Sequence, residues 1–590
     1  ELRGGFLGRE MVHPGFKAVA PDTPLAQALT PVYPASAQLP QAYVRKAVAG
    51  GLQRADLGEV LPPGTVPPGL PSLREALLFL HHPPPETSLA TLEDHSHPAW
   101  QRLKFEELLA QQLSQMQARS ERARLHAPAL RPHAGGLRDR LLQALPFGLT
   151  AAQARVVVEI AADLATPRPM HRLLQGDVGA GKTVVAALAA AVAMDAGWQC
   201  ALMAPTEILA EQHFAKLVGW LEPLGIQVAW LTGSRKGKGR QRMLERVASG
   251  EAALVVGTHA VIQDDVHFAR LGLAVVDEQH RFGVAQRLAL RRKLPAQEGA
   301  LPLEPHLLMM SATPIPRTLA MTYFADLEVS TIDELPPGRT PIVTKLFADP
   351  RRDEVIARIH DEVARGRQVY WVCPLIEESE ASDAAPGGDG RGRAMAELRN
   401  ATETHQELSE ALPGCSVGLL HGRMKPADKA AVMGAFTAGE IDVLVATTVI
   451  EVGVDVPNAS LMVIEHAERF GLAQLHQLRG RVGRGEAASV CVLLYGNPLS
   501  DTGKQRLKAM AETTDGFEIA RRDIDIRGPG EFMEARQSGD ALLRFADLAE
   551  DSGLLERARK AASALMQQHP NAAAAQIRRW HGGGLDFMKA

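Results

Sequence analysis

One eight-residue segment, GDVGAGKT at 176–183, constrains this chain more than any other feature. It follows a short apolar run and precedes an Ala-rich stretch, so it predicts a loop between a buried strand and a helix. In such a loop, backbone N–H groups converge on phosphate oxygens at the start of the helix. We expect Lys182 to contact the β and γ phosphates of ATP and the Thr183 hydroxyl to bind Mg²⁺. The nucleotide-binding residues of this phosphate loop are Gly176, Asp177, Val178, Gly179, Ala180, Gly181, Lys182 and Thr183.

Two further segments contain the acids and the cations that phosphoryl transfer needs. LAVVDEQH places Asp277 and Glu278 after an apolar strand, at the sheet edge where ligands of parallel sheets bind. We expect Asp277 to hold Mg²⁺ and Glu278 to orient or deprotonate the attacking water. QLRGRVGR, late in the chain, places Arg481 and Arg484 three residues apart between glycines. Both arginines are expected to contact the γ-phosphate.

The pattern of apolar runs predicts an α/β fold class. After Leu149, runs of four to six residues alternate with Ala-rich helical stretches, which is typical of a parallel sheet with crossover helices. A second series of such runs follows the Pro- and Gly-rich segment at 335–341, so we predict two α/β domains joined by a stiff hinge. Before them, turns rich in Pro and Gly predict short helices, and residues 100–126 predict one long amphipathic helix.

Composition excludes several classes of protein. A chain of 590 residues with 46% hydrophobic residues has enough apolar surface for several cores, which excludes general disorder. Because its formal net charge is −4, any polyanion must bind to local patches of positive charge. We expect no membrane partner, because no apolar stretch reaches the roughly 18 residues of a span. Four widely spaced cysteines predict reduced thiols in the cytoplasm. A basic run is one candidate phosphate contact, and a solvated loop is an equally good interpretation of it: Arg235, Lys236, Lys238, Arg240 and Arg242.

These segments, in this order, resemble the superfamily 2 nucleic-acid helicases and, among them, the RecG branch-migration helicases. The most specific are DEQHRFGV, IEVGVDVPNAS and HQLRGRVGRG, and matching segments run from about Gly4 to Asp547. The resemblance implies two tandem RecA-like parallel-sheet domains, at 141–335 and 336–498. It also implies the remnant of an oligonucleotide-binding (OB) fold wedge at 1–30 and a helical linker region at 31–140. A helical hairpin, the translocation motif and the C-terminal region would follow at 499–590.

The resemblance also implies roles for residues outside the phosphate loop. Phe147 and Gln153 would read adenine, and Gly453 and Asp455 would line the nucleotide cleft. Strand contact and the coupling of hydrolysis to movement are implied for Thr206, Thr258, Ser311, Thr313, Thr448, Arg527, Arg536 and Gln537. The chain departs from the family pattern at Met533, Glu534 and Ala535, where a Leu-Gly-Thr type stretch is usual. Loss of that glycine removes a permissive backbone position, which bears on coupling efficiency.

The implied function is ATP- and Mg²⁺-dependent remodelling of branched DNA, at replication forks and Holliday junctions, during recombination and repair. The implied partners are branched DNA, the duplex backbone and a single-stranded-DNA-binding protein, and we expect a monomer in the bacterial cytoplasm. Three alternatives remain: a transcription-repair coupling translocase, an RNA helicase and a non-catalytic junction-binding scaffold. The scaffold would predict a broken phosphate loop or a missing arginine, whereas Lys182, Glu278, Arg481 and Arg484 are all present.

Overall fold

The computed structural model describes most of the chain. The described residues are 2–5, 8–11, 28–34, 39–122, 124–233, 237–282, 284–291, 293, 303–312, 327–336, 341–374, 390–447, 456–483, 485, 487–527, 543–547 and 550–581.

The N-terminal region contains a two-stranded antiparallel sheet and four helices. These are β1 (Leu2–Gly5), β2 (Gly8–Met11), α1 (Gln41–Arg54), α2 (Leu73–His81), α3 (Leu89–Glu93) and α4 (Pro98–Arg122). A long helix is therefore present where residues 100–126 predicted one. It buries polar as well as apolar side chains, so it is not simply amphipathic: Arg102 and Glu106 are both almost fully buried, and Arg102 Nε donates to Glu106 Oε1 at 2.9 Å. Burial of these charges is tolerated because they are paired.

The first lobe, residues 137–332, is built on a seven-stranded parallel sheet. Its elements are α5 (Leu137–Ala144), α6 (Ala151–Leu164), β3 (His171–Gly176), α7 (Lys182–Asp195), β4 (Gln199–Met203), α8 (Glu207–Leu221), β5 (Val228–Leu231), α9 (Lys238–Ala248), β6 (Leu254–Gly257), β7 (Leu271–Val276), α10 (Val284–Arg291), β8 (His306–Ser311) and β9 (Glu328–Ile332). The strand order is β5-β6-β4-β7-β8-β3-β9. Strands β3, β7 and β8 are buried along their whole length, as expected of a parallel sheet covered on both faces.

The second lobe, residues 343–527, repeats this plan with six parallel strands. Its elements are β10 (Val343–Ala348), α11 (Arg352–Ala364), β11 (Gln368–Val372), α12 (Gly390–Ala411), β12 (Val417–Leu420), α13 (Pro426–Thr437), β13 (Val443–Ala446), β14 (Ala459–Ile464), α14 (Leu472–Arg479), β15 (Val490–Tyr495), α15 (Asp501–Glu512) and α16 (Gly516–Arg527). The strand order is β10-β15-β14-β11-β13-β12. Helices α15 and α16 follow the last strand and pack against the same lobe.

Two further helices, α17 (Ser552–Gln568) and α18 (Pro570–His581), lie near the end of the chain. The chain divides into two compact units. The first comprises Glu1–Leu113 and Leu543–Gly582, and the second comprises Ser114–Leu542 and Gly583–Ala590. Both lobes belong to the second unit, so the contacts between them are contacts within one unit. Among the helices of the described residues, none is both long and apolar enough to cross a bilayer.

The predicted fold class is confirmed: two RecA-like α/β domains with parallel sheets stand in tandem, and a helical region follows them. Parallel order brings the carboxyl ends of all strands of one sheet to the same edge. In the first lobe, that edge carries the ends of β3 and β7, after which the phosphate loop and the acidic pair begin.

Candidate nucleotide site

The phosphate loop connects β3 directly to α7. Gly179 and Gly181 have φ angles of 79° and 86°, in the left-handed region that glycine adopts without strain. Space is restricted as well, because a Cβ on Gly176 would stand 3.0 Å from the carbonyl oxygen of Ile332, and a Cβ on Gly181 would overlap the amide of Gln153. The glycines of the motif are therefore required by the backbone geometry and by the close packing around the loop.

Lys182 is the first residue of α7, and its ammonium group turns back over the loop. Nζ donates to the carbonyl oxygens of Gly176 at 2.9 Å and of Asp177 at 3.0 Å. Burial lowers the pKa of Lys182, and the charges of Glu278 and Asp277 oppose this shift. The lysine that follows β3 therefore faces the acids that follow β7.

Asp277, the residue after β7, is buried with two hydrogen-bond partners. His213 Nε2 lies 2.6 Å from Asp277 Oδ2, and the backbone N–H of Glu278 donates to Oδ1 at 3.0 Å. Burial tends to raise the pKa of Asp277, but the hydrogen bond and charge of His213, together with Lys182, hold the pKa below its ordinary value. Asp277 is therefore a carboxylate at neutral pH.

Glu278 has the opposite electrostatic environment. Burial and then the charge of Asp277 raise its pKa, while Lys182 and Arg481 oppose the rise. Its backbone is in the left-handed region, with φ 50° and ψ 54°, which is uncommon for a residue with a side chain. Adjacent carboxyl groups whose pKa values are shifted in opposite directions can divide the work, one holding a cation and the other accepting a proton.

The predicted adenine-reading residues lie beside the loop. Gln153 forms a capping box with Thr150 at the start of α6, and its Nε2 donates to the carbonyl oxygen of Ala180 at 2.9 Å. Phe147 is 48% exposed and meets Trp220 edge-on, with ring centroids 6.3 Å apart. Gln153 thus supports the phosphate loop itself, and the reading of adenine by both residues stays a prediction.

The second lobe reaches this site through the end of α14. His476 Nε2 lies 2.6 Å from Asp177 Oδ1. Gly480 packs against Val178, so closely that a Cβ on Gly480 would stand 2.6 Å from Val178 Cβ. The phosphate loop of one lobe is thus in direct contact with the helix end that precedes Arg481 of the other.

Arg481 is 5% exposed. Its positive charge lowers the pKa of both Lys182 and Glu278, which locates the guanidinium in the electrostatic field of the site. Lys182, Asp277, Glu278 and Arg481 are therefore brought together. Arg484, the second predicted arginine, lies outside the described residues.

Predicted strand-contact residues occupy the edge of the first sheet. Thr206 caps α8, where its hydroxyl accepts from the N–H of Leu209 at 3.4 Å. Thr258 and Ser311 are buried just after β6 and at the end of β8. In the basic run, Lys238, Arg240 and Arg242 open α9, and Arg240 is paired with Asp265 at 2.8 Å. The predicted residues outside the described part are Thr313, Thr448, Gly453, Asp455, Arg536 and Gln537, together with Arg235, Lys236 and the departure at 533–535. Arg527 ends α16, and its side chain is likewise outside the description.

Three polar residues at the site were not singled out from the sequence. His213 lies on α8 with no motif to mark it as the partner of Asp277. His476 and Arg479 belong to the HQLRGRVGRG segment, but the interpretation of that segment rested on its glycines and on the later arginines. The signal that could have identified His476 and Arg479 is their spacing of three residues on one helix, which places both on the same face.

Models of three helicase regions match the chain. They are the DEAD/DEAH box helicase model at 150–322, the helicase conserved C-terminal domain at 388–486, and the model for domain 3, C-terminal, of the ATP-dependent DNA helicase RecG at 513–579.

Relatives extend the similarity over the whole chain. The chain is 51% identical to the ATP-dependent DNA helicase RecG of Acidithiobacillus ferridurans, over all of this chain and 82% of the relative. It is 52% identical to the helicase of the same description from Escherichia coli strain K12, over 98% of this chain and 82% of the relative. A solved structure of RecG bound to a three-way DNA junction is similar with a TM-score of 0.68 and 36% identity, covering 94% of this chain and 70% of that one. The chain belongs to the RecG family of ATP-dependent DNA helicases.

Proposed function

We propose that this helicase remodels branched DNA, by branch migration of Holliday junctions and regression of stalled replication forks, with one Mg²⁺-ATP bound between its two lobes. The observation that carries the proposal is the meeting of Arg481 with Lys182 and the acidic pair. The relative whose structure contains a three-way DNA junction supports the choice of branched substrate.

Within the site, Lys182 binds the β and γ phosphates, and the backbone N–H groups of residues 176–183 bind the same phosphates. Glu278 orients the attacking water and accepts its proton, a role that its raised pKa suits. Arg481 and Arg484 stabilise the charge that develops on the transferred phosphoryl group. Phe147 and Gln153 contact adenine, and Gly453 and Asp455 line the second-lobe side of the nucleotide.

Thr183 and Asp277 are the residues that would hold Mg²⁺. They fit this ion, because Mg²⁺ prefers oxygen ligands and is usually bound through one or two carboxylates together with substrate phosphates. Asp277 is buried, and its lowered pKa keeps it ionised. Bound there, the ion would neutralise charge on the phosphates.

Binding of one nucleotide by groups from both lobes draws the lobes together, and hydrolysis removes that attraction. We infer that the lobes hold the duplex backbone alternately. The residues we assign to strand contact and coupling are Thr206, Thr258, Ser311, Thr313, Thr448, Arg527, Arg536 and Gln537. Such contacts go mainly to phosphates, so binding will be weakly dependent on sequence and strongly dependent on salt.

The proposal also includes the domain bounds given above and a monomeric state. It further includes a single-stranded-DNA-binding protein as a partner and the bacterial cytoplasm as location. Bacterial sources of the relatives support the last of these.

The test is steady-state ATP hydrolysis with Mg²⁺, measured with a synthetic fork, with linear duplex and with single strands. We expect the fork to stimulate hydrolysis most. Lys182→Ala should lower the fork-stimulated rate by about a hundredfold or more, since transition-state charge loses its main partner. Lys504→Ala, an exposed lysine on α15, is the matched control and should keep the wild-type rate. Equal stimulation by all three DNAs would contradict the branched substrate, and full activity of Lys182→Ala would contradict the site.

A further inference from the structure

A chain of side-chain hydrogen bonds leaves the phosphate loop and ends outside the nucleotide site. Its first link joins Asp177 Oδ1 to His476 Nε2 at 2.6 Å. Its second joins His476 Nδ1 to Arg479 Nη2 at 3.1 Å. His476 and Arg479 are 4% and 2% exposed, so water hardly competes for these contacts.

The chemistry of the three side chains gives this chain one direction. A guanidinium group can only donate, so His476 Nδ1 must accept from Arg479. His476 Nε2 then donates to Asp177, so donation runs from Arg479 through His476 to Asp177.

At its far end, Arg479 holds the turn between α15 and α16. Nη1 donates to the carbonyl oxygens of Met510 at 3.1 Å and Thr513 at 2.8 Å, and Nη2 donates to that of Thr514 at 3.2 Å. The last carbonyl groups of a helix have no partner within it, so this guanidinium satisfies the end of α15. The turn leads into α16, which ends at Arg527, one of the residues assigned to coupling.

At its near end, Asp177 is held from two sides. Its side chain accepts from His476, and its backbone carbonyl accepts from Lys182 at 3.0 Å. The ammonium group of Lys182 is also the group that a nucleotide phosphate attracts. When a nucleotide phosphate draws Lys182 away from this carbonyl, Asp177 loses one of its two restraints and keeps its hydrogen bond to His476.

We propose that His476 and Arg479 are positioning residues that couple the phosphate loop to the α15–α16 turn. They form, with Asp177, a relay that is separate from the transition-state contacts of Arg481. The proposal rests on the proposed function in one respect, namely that α16 leads into the segment that moves DNA.

The first test measures the turn directly and needs no DNA. Amide hydrogen exchange is followed in peptides covering 513–520, with and without Mg²⁺ and a non-hydrolysable imidodiphosphate analogue of ATP. The relay predicts that the analogue changes exchange in the wild type by about threefold or more, and that His476→Ala abolishes this change. His405→Ala is the matched control, because this half-buried histidine of the same lobe donates from Nε2 to the carbonyl oxygen of Val417 at 3.1 Å.

The second test measures coupling as base pairs separated per ATP hydrolysed on a synthetic three-way junction. Both His476→Ala and Arg479→Lys should lower this ratio by about fivefold or more, the scale of a typical coupling energy between sites. Arg367→Lys, at a half-buried arginine paired with Glu362 in the same lobe, should keep the ratio. His476→Gln retains an amide donor for Asp177 and should recover part of the ratio.

The outcomes separate the relay from the proposed function. A wild type that hydrolyses ATP but separates no junction contradicts the proposed function, while the exchange experiment still decides on the relay. Exchange at 513–520 that ignores the nucleotide, or that responds equally in His476→Ala, overturns the relay. Loss of unwinding and of hydrolysis by the same factor also overturns it, because both residues would then only support the ATP site. If Arg479→Lys does not fold, the two His476 variants decide.

Discussion

Glu278 carries its carboxyl group into a buried position beside another acid, on a backbone with φ 50°. Burial and strain of this kind destabilise a fold and persist where surrounding structure enforces them, often at functional sites. Asp277, its neighbour, differs because His213 and Lys182 stabilise its charge. The two residues are adjacent in sequence, and their different interaction partners account for their different roles.

Glu278→Gln should raise stability while abolishing turnover. The folded pKa of Glu278 lies above its ordinary value of 4.5, so the folded protein binds more protons than the unfolded one between these two values. The carboxylate therefore destabilises the fold increasingly as pH rises through that window, and glutamine removes this effect. We expect the apparent Tm to rise on the order of 2 °C at pH 8, with no such gain below pH 4.5, and ATP hydrolysis to fall about a hundredfold or more.

Thermal unfolding at both pH values and a steady-state ATPase assay measure these effects. Glu403→Gln, on the exposed side of α12, is the control and should change neither quantity. A lower Tm of Glu278→Gln at pH 8 would contradict the assigned direction of the pKa shift.

At the level of elements, the two lobes contain similar sequences after corresponding strands. Residues 275–286 read VVDEQHRFGVAQ and residues 463–474 read VIEHAERFGLAQ, each beginning within a strand of its own sheet. The second residue after each strand, Glu278 and His466, has a left-handed backbone. In the second lobe the first acid, Glu465, is paired with Arg352 at 2.6 Å. Glu465 is thus held by an arginine at the start of α11, whereas Asp277 faces Lys182 of the phosphate loop.

Helix α4 anchors the chain where it returns after residue 542. The buried carboxylate of Glu107 accepts from three successive backbone N–H groups, those of Arg544 at 2.6 Å, Phe545 at 2.9 Å and Ala546 at 3.0 Å. All four residues belong to the first compact unit. A single side chain thus satisfies the backbone of a segment that has no regular structure of its own.

Glu107→Ala should destabilise the first unit by about 2–4 kcal/mol, because three backbone donors lose a charged acceptor. Glu107→Gln, which keeps one acceptor oxygen, should cost less. Thermal unfolding and hydrogen exchange of residues 544–547 report the change, and Glu93→Ala on the exposed side of α3 is the control. Unchanged exchange at 544–547 in Glu107→Ala would show that the three hydrogen bonds contribute little.

At the scale of the whole molecule, we expect activity to depend on how closely the two lobes approach. Gly480 is a point of close contact between them, since a Cβ there would stand 2.6 Å from Val178 Cβ. Real Cβ atoms do not come so close, and both groups are attached to backbone, so a methyl group at 480 must displace the phosphate loop or the end of α14.

Gly480→Ala should therefore lower fork-stimulated ATP hydrolysis by about tenfold to a hundredfold, since a displacement of about 1 Å can cost this much. Stability should change little by comparison. Gly434→Ala, at a helical glycine of α13 with open space around it, should keep the rate and gain up to about 1 kcal/mol of stability. Wild-type hydrolysis by Gly480→Ala would mean that catalysis does not require this contact.

Local features of this protein follow from the sequence alone. The phosphate loop, the buried strands and the acidic pair could be predicted because glycine placement, apolar runs and strand-helix alternation act over neighbouring residues. Tertiary structure decided which distant groups meet. Asp177 and His476 are 299 positions apart, and neither carries a local signal of the other. Their contact arises only when two separately folded sheets pack with their polar edges together. Burial acts to raise the pKa of both Asp277 and Glu278, and only the tertiary contacts of Asp277 with His213 and Lys182 hold its pKa down.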